Sequence, residues 1–319
     1  MTGRPLAEAL RAAELLLAGA SVPSPRVDAE LLAAHLMGIG AGTTVSRGQV
    51  QAAAVLGRPA PDGLDELVAR RAAREPLQHL TGRAPFRGLE LAVGPGVFVP
   101  RPETEQVAEV AISEARTVAA RAGSVLVADL CTGSGAIALA LAHEVPAAVV
   151  HAVELDRAAH EWAVRNVATS GLEVRLVRGD ARTALDAFDG TFDVVVSNPP
   201  YVPTGAVPVD PEVAQHDPAV ALYGLGHDGL EVPRGIAAAA ARLLRPGGLF
   251  VMEHAEVQAD AARDLVRSTG AFDDIRTCAD LTGRARMVVA RRNRVANPMP
   301  TPVGTDGPAR TNVVGDSHA

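Results

Sequence analysis

The chain has 319 residues, 48% of them hydrophobic, with a formal net charge of −7 and a pI near 5.7. That length and apolarity suit a sizeable core divided between two domains, while the acidic balance lacks the basic footprint of a tight duplex-binding protein. Cys131 and Cys278 are the only cysteines, too few for a disulfide framework or a four-ligand zinc site, which fits a reducing cytoplasm.

Nine histidines are scattered, His216 and His227 make no ligand spacing, and no metal is expected. The apolar run from Leu15 to Ala20 is too short to span a bilayer, and Glu8, Arg11 and Glu14 interrupt its approach, so neither export nor a membrane is read from it.

Leu6, Leu10, Ala13, Leu16 and Leu17 recur at helical spacing, and Leu31, Leu32 and Leu36 repeat the pattern between Asp28 and Met37. Two further helices are expected near Gln49–Leu56 and Leu64–Arg74, which makes residues 1–84 a small helical bundle. From Pro85 to Pro100 apolar residues alternate on both sides of Gly94-Pro95-Gly96, and the pattern predicts a hairpin turning at those glycines within a 85–105 linker. Arg101-Pro102-Glu103-Thr104-Glu105 opens a helix, with proline early and acidic residues where the helix dipole favours them.

Strands and helices then alternate through a 106–293 domain. Strands are expected at Val125–Leu130, Val149–Leu155, Val174–Val177, Phe192–Ser197 and Leu249–His254, with helices at Ala136–His143, Arg157–Thr169, Ile236–Leu244 and Ala255–Ser268. Such alternation predicts a doubly wound, Rossmann-like α/β sheet with helices on both faces. Ile275–Ala279 and Arg286–Ala290 lie too close for a helical crossover, so the last strand is expected to run antiparallel. Residues 294–319, rich in proline and glycine without periodicity, are expected to form a disordered tail.

Asp129-Leu130-Cys131-Thr132-Gly133-Ser134-Gly135 falls where the first of these strands gives way to a helix. Glycines there let backbone approach a ligand, and the helix N-terminus offers unpaired N–H groups. The same loop also satisfies a dinucleotide fingerprint, and a tight turn without ligand is the lesser, competing reading. Glu154 ends the next strand about 20 positions beyond Gly133, where a carboxylate accepts hydrogen bonds from ribose hydroxyls. Together they point to an adenosine-containing cofactor, NAD or S-adenosylmethionine. Asp129 is a candidate partner for the cofactor's amino group and Asp180 for a contact near its adenine, although each alone is as readily a surface carboxylate. Trp162 reads as core, and Cys131 as a small packing residue.

Asn198-Pro199-Pro200-Tyr201 decides between these cofactors. Two prolines fix φ and remove two backbone donors, so the segment forms a stiff shelf offering carbonyl oxygens and the Asn198 side-chain oxygen. A planar NH2 group is its natural guest, and Tyr201 can pack against that plane. An amide or adenine nitrogen is a poor nucleophile, and gripping its hydrogens aims its lone pair at a methyl group held in line. An NAD-dependent oxidoreductase leaves this shelf unexplained, and a non-catalytic module has no need of loop, Glu154 and shelf together.

The chain resembles the HemK/PrmC family, protein-(glutamine-N5) methyltransferases of class-I peptide-chain release factors, from its helical N-terminus to about Arg292. The resemblance rests on Arg74 to Gly82, Phe86-Arg87-Gly88-Leu89, Pro100 to Glu105, the Asp129–Gly135 loop, Ser197 to Tyr201 and Leu244-Arg245-Pro246-Gly247-Gly248. It implies a class I S-adenosylmethionine-dependent fold, with Cys131, Thr132, Gly133, Ser134, Gly135, Glu154 and Asn198 at cofactor-binding positions and Asn198, Pro199, Pro200 and Tyr201 holding the substrate glutamine. Cys131 stands where glycine is common, and Ala181 follows Asp180 where some relatives carry a bulky residue, which leaves a backbone contact to adenine there.

The implied substrate is the glutamine of a Gly-Gly-Gln loop, with the N-terminal bundle gripping the rest of the release factor. A monomeric cytoplasmic enzyme without stable nucleic-acid binding is expected. The alternatives are methylation of an adenine-N6 or guanine-N2 amino group in nucleic acid, against which stand 3% aromatic residues and the acidic balance, and methylation of a ribosomal-protein glutamine.

Overall fold

In a computed structural model, which describes residues 3–294, the chain begins with five helices: α1 (Leu6–Gly19), α2 (Pro25–Ala41), α3 (Arg47–Val55), α4 (Leu64–Ala72) and the short α5 (Leu77–Thr81). Leu6, Leu10, Leu17, Leu32, Val50 and Val68 close their common core. The expected tail lies outside the described residues, apart from Arg294.

A hairpin follows, but not where the glycines suggested. β1 (Arg83–Phe86) pairs with β2 (Leu89–Ala92), and the turn is Arg87-Gly88, both at positive φ (46° and 77°) as a two-residue hairpin turn demands. Gly94 serves a different purpose. A Cβ at that position would lie 2.6 Å from the Trp162 ring, so glycine there admits the indole, whose Nε1 donates to the Pro95 carbonyl at 3.2 Å. Val97–Val99 form no strand; Val97 and Val99 pack with Val93, Ala159 and Trp162 in a small separate core.

The second domain runs α6 (Thr104–Ala122), β3 (Val125–Leu130), α7 (Ala136–Glu144), β4 (Ala148–Glu154), α8 (Arg157–Ser170), β5 (Val174–Arg178), β6 (Phe192–Ser197), α9 (Pro211–His216), α10 (Ala219–Leu222), α11 (Glu231–Leu243), β7 (Leu244–Glu253), α12 (Ala259–Ser268), β8 (Phe272–Ala279) and β9 (Ala285–Arg292). Its seven strands are ordered β5-β4-β3-β6-β7-β9-β8, parallel except for β9, which is antiparallel to both neighbours. The central strands are apolar throughout because both of their faces are covered. Val127, Val194, Val196 and Val251 meet α6 and α7 on one side, while Leu130, Val195, Phe250 and Met252 meet α11 and α12 on the other.

Charge joins the two domains. Buried Arg71 of α4 contacts Asp28 at 2.8 Å and Glu212 of α9 at 2.8 Å, and Arg74 reaches Glu212 at 2.9 Å. The loop beyond the β6 end is thereby fastened to the helical bundle.

Candidate active site

Chain order reverses between β3 and β6, and there the two strands end level, Leu130 opposite Ser197. Ser197 Oγ donates to the Leu130 carbonyl at 2.6 Å. Ligands of open α/β sheets bind in the crevice at such a reversal. A cavity of about 630 Å³ opens there, walled by Cys131 to Ser134, Glu154 to Asp156, Asp180 to Arg182, Asn198 to Val202, and Phe98, Glu103 and Thr104 ahead of and at the start of α6.

The loop after β3 enters the left-handed region three times, at Cys131 (φ 65°), Gly133 (58°) and Gly135 (86°). Cys131 thus holds a conformation that glycine adopts at less cost. Burial pushes its thiol far above the usual range, in keeping with a packing role. The loop is held from below by Asp129, whose Oδ2 accepts from Thr132 Oγ1 at 2.6 Å and from the Ala138 amide at 3.1 Å. Asp129 is fully buried and, like Gly135, is absent from the cavity wall; its Oδ2 braces the loop from beneath, while its Oδ1 has no hydrogen-bond partner. Burial pushes the Asp129 carboxyl up to about 7, against the opposing pull of its Thr132 and Ala138 hydrogen bonds.

Glu154 does face the cavity. Its two oxygens accept the Gly133 and Asp156 amides, each at 2.8 Å, and burial raises its pKa despite those bonds. A carboxylate oriented by two backbone donors keeps lone pairs for a ribose diol. Asp180 is clasped by Arg182 (Nη2 to Oδ2 2.6 Å), whose guanidinium holds the carboxyl below its usual range, and buried Ala181 lines the wall beside it. A glycine-bearing loop, one carboxylate held by two backbone donors and apolar walls fit an adenosine-type cofactor carrying a positive charge.

On the opposite wall, Asn198 Nδ2 donates to Thr104 Oγ1 at 3.4 Å, which leaves Oδ1 as the amide's open acceptor in the cavity that Asn198 lines. The Tyr201 hydroxyl turns inward and donates to Glu253 Oε1 at 3.3 Å, and burial pushes its ionisation far above the usual range. Behind the shelf, Val202 bonds the Leu222 carbonyl at 2.8 Å, and a Cβ at Gly224 would come within 2.6 Å of the Pro200 carbonyl, so glycine permits backbone to lie against backbone. Sequence reasoning missed Glu253, Thr104 as a partner of Asn198, and the pair of Arg101 with buried Asp217 at 2.6 Å. The signal for Glu253 was a carboxylate at the carboxyl end of an otherwise apolar central strand.

Residues 8–82 match the PrmC N-terminal domain and residues 94–216 the Methyltransferase small domain. A release factor glutamine methyltransferase of Streptomyces coelicolor is 50% identical over 293 residues, covering 90% of this chain and 98% of that protein. The chain belongs to the release factor glutamine methyltransferase family. A second member, from Mycolicibacterium smegmatis, is 47% identical with coverage of 90% and 98%. A relative in Streptomyces pristinaespiralis, 41% identical over 83% of this chain and 88% of its own, is named 4-amino-L-phenylalanine/4-methylamino-L-phenylalanine methyltransferase. Among the described residues no helix is long and apolar enough to cross a membrane.

Proposed function

We propose that this chain transfers a methyl group from S-adenosylmethionine to the side-chain amide nitrogen of the glutamine in the Gly-Gly-Gln loop of class-I peptide-chain release factors. The observation that carries this reading is the placement of the Asn198–Tyr201 shelf on the strand end next to the Cys131–Gly135 loop, within one cavity. The family relationship supports the same activity.

Bound S-adenosylmethionine supplies an electrophilic methyl on a sulfonium sulfur. The Cys131–Ser134 loop and Glu154 would hold it, with Asp180 and Ala181 beside its adenine. Asn198 Oδ1 and the Pro199 carbonyl accept the two amide hydrogens, hold the nitrogen in one plane and point its lone pair into the cavity. Tyr201, Pro199 and Pro200 wall the guest and exclude water. Positioning of this kind supplies roughly 7–11 kcal/mol of a barrier. The helical bundle serves substrate docking, since the loop and the shelf both lie beyond it. The acidic balance supports a protein substrate without stable nucleic-acid binding, the cysteine usage supports a cytoplasmic enzyme, and a monomer is part of the same proposal.

The test is methylation of an intact release factor carrying Gly-Gly-Gln, Gly-Gly-Asn or Gly-Gly-Glu, with the modified residue mapped by mass spectrometry and free 4-amino-L-phenylalanine as a parallel substrate. Shortening glutamine to asparagine withdraws the nitrogen by roughly 1 Å, and misplacement of that order costs about 10²-fold. Glutamate has no NH2 and sets oxygen against oxygen. Equal labelling of the glutamine and glutamate forms, or labelling of the free amino acid alone, would overturn the reading.

A further inference from the structure

The shelf is held from behind by a side chain that does not line the cavity. Gln258, immediately ahead of α12, is 7% exposed and absent from the cavity wall. Its Nε2 donates to the Tyr201 carbonyl at 2.9 Å and to the Asp228 carbonyl at 3.0 Å, while its Oε1 accepts the Ala255 amide at 3.2 Å. One acceptor and two donors meet one N–H and two carbonyls, so the amide has a single orientation and both of its hydrogens are used. Residues 224–229 close the same side. A Cβ at Gly229, where φ is 72°, would lie 2.3 Å from the Tyr201 carbonyl oxygen, and the Gly224 amide donates to the Val202 carbonyl at 3.1 Å.

These contacts sort the carbonyls of the shelf. That of Tyr201 is taken by Gln258, that of Val202 by Gly224, and the Pro200 oxygen lies against Gly224; among the described residues no N–H reaches that of Pro199. At the near end, Ser197 is paired with Leu130 of β3 and Met252 of β7. Between the two anchors the rings of Pro199 and Pro200 fix φ, so the aim of the Pro199 carbonyl depends on ψ, and ψ is set once both ends are held.

We propose that Gln258 is a positioning residue for methyl transfer: by clamping the Tyr201 carbonyl to the 224–229 segment it fixes the far end of the shelf, and with it the direction in which the Pro199 carbonyl receives the substrate's NH2. This rests on the shelf being the acceptor of the glutamine amide. The clamp also withdraws the Tyr201 carbonyl from competition for the same two hydrogens. Asn198 Oδ1 and the Pro199 carbonyl are then the pair that defines the plane of the guest.

The experiment compares the wild-type chain with Gln258→Met, a near-isostere without hydrogen bonds, and with Gln258→Asn, shorter by one methylene. The substrates are intact release factors carrying Gly-Gly-Gln or Gly-Gly-Asn, and rates are normalised to S-adenosylmethionine-binding sites counted by calorimetry, so that misfolded protein does not enter. Gln258→Met should lower kcat on Gly-Gly-Gln about tenfold or more and keep both KM for the release factor and cofactor affinity within about threefold. It should also cut the preference for glutamine over asparagine by about tenfold, because a shelf free to shift penalises a misplaced nitrogen less. Gln258→Asn should move both readings in the same direction. A side chain with a merely structural role would lower Tm and the number of binding sites while kcat per site and the glutamine preference stay at wild-type values, and that result overturns the proposal. If Gln258→Met fails to fold, Gln258→Asn decides on the same two readings. Absence of wild-type labelling at the Gly-Gly-Gln glutamine overturns the underlying reading and this proposal with it, whereas wild-type labelling with unchanged variants overturns this proposal alone.

Discussion

Asn166 of α8 is the most heavily used buried side chain between the hairpin and the loop, and replacing it tests how the site is held. Its Oδ1 accepts the Ala92 amide at 2.8 Å, while Nδ2 donates to the Ala92 carbonyl at 3.0 Å and to the Ser134 carbonyl at 2.9 Å. Each such bond contributes about 1 kcal/mol net, and the groups orphaned by truncation carry the larger desolvation cost, so Asn166→Ala should destabilise by about 3 kcal/mol. For a domain of this size each kcal/mol moves Tm by about 2–4 °C, which places the fall at about 6–12 °C. Asn166→Asp keeps the acceptor for Ala92 but sets an anion against two carbonyl oxygens, and should fall further than alanine. The assay is thermal unfolding by circular dichroism, with calorimetric binding of S-adenosylmethionine alongside, since Ser134 lines the cavity. A Tm within about 2 °C of wild type for Asn166→Ala, or an aspartate variant more stable than the alanine one, would refute this account of the junction.

Asn198→Ala should cut kcat by about 10²-fold or more and leave cofactor affinity within about tenfold, because the lost oxygen orients only the substrate; single-turnover kinetics that stay near wild type would contradict it. Arg71→Met strands the buried Asp28 carboxylate and removes one cation from Glu212, so denaturant unfolding should show a loss of about 3–5 kcal/mol, and a loss below about 1 kcal/mol would show the pair to be dispensable. For Asp129 the sign follows from its raised carboxyl: the folded chain keeps a proton near pH 4 to 7 that the unfolded chain sheds, so its contribution favours folding at low pH and is lost as pH rises through about 7. The Tm of Asp129→Asn relative to wild type should accordingly climb between pH 5 and 8, and a difference independent of pH would argue against the burial effect.

Much of the second domain was legible because its strands carry apolar runs with polar ends. Val125–Leu130 and Phe192–Ser197 were bounded to the residue, and α7, β4 and α8 to within one. The hairpin was displaced because glycine signals a tight turn and a close approach with the same letter, and only the Trp162 ring separates the two at Gly94. α9 and α10 carried no expectation, although Asp210 caps α9 with Pro211 at its first position. β7 begins at Leu244 rather than Leu249, carried through Pro246 and Gly247 along an irregular register with β6. The loop, Glu154 and the shelf were readable from local pattern. Their support was not: Thr104, Asn198, Tyr201 and Glu253 are brought together by sheet order, which no spacing along the chain encodes. Asp129 illustrates the same limit, because the end of a strand can point into a cavity or under it.

The hydrogen-bond ladder between β3 and β6 also acts as a gauge. It fixes the spacing of the strand ends that carry the Cys131–Gly135 loop and the Asn198–Tyr201 segment at about 4.8 Å. A one-residue slip would turn every side chain of a strand to the other face, so this dimension is hard to alter by small steps. The segment from 203 to 222 contributes residues to the cavity wall and lies outside the ladder, held instead by Glu212 against Arg71 and Arg74 and by Asp217 against Arg101. Changes confined to that segment leave the spacing of the two strand ends as it is.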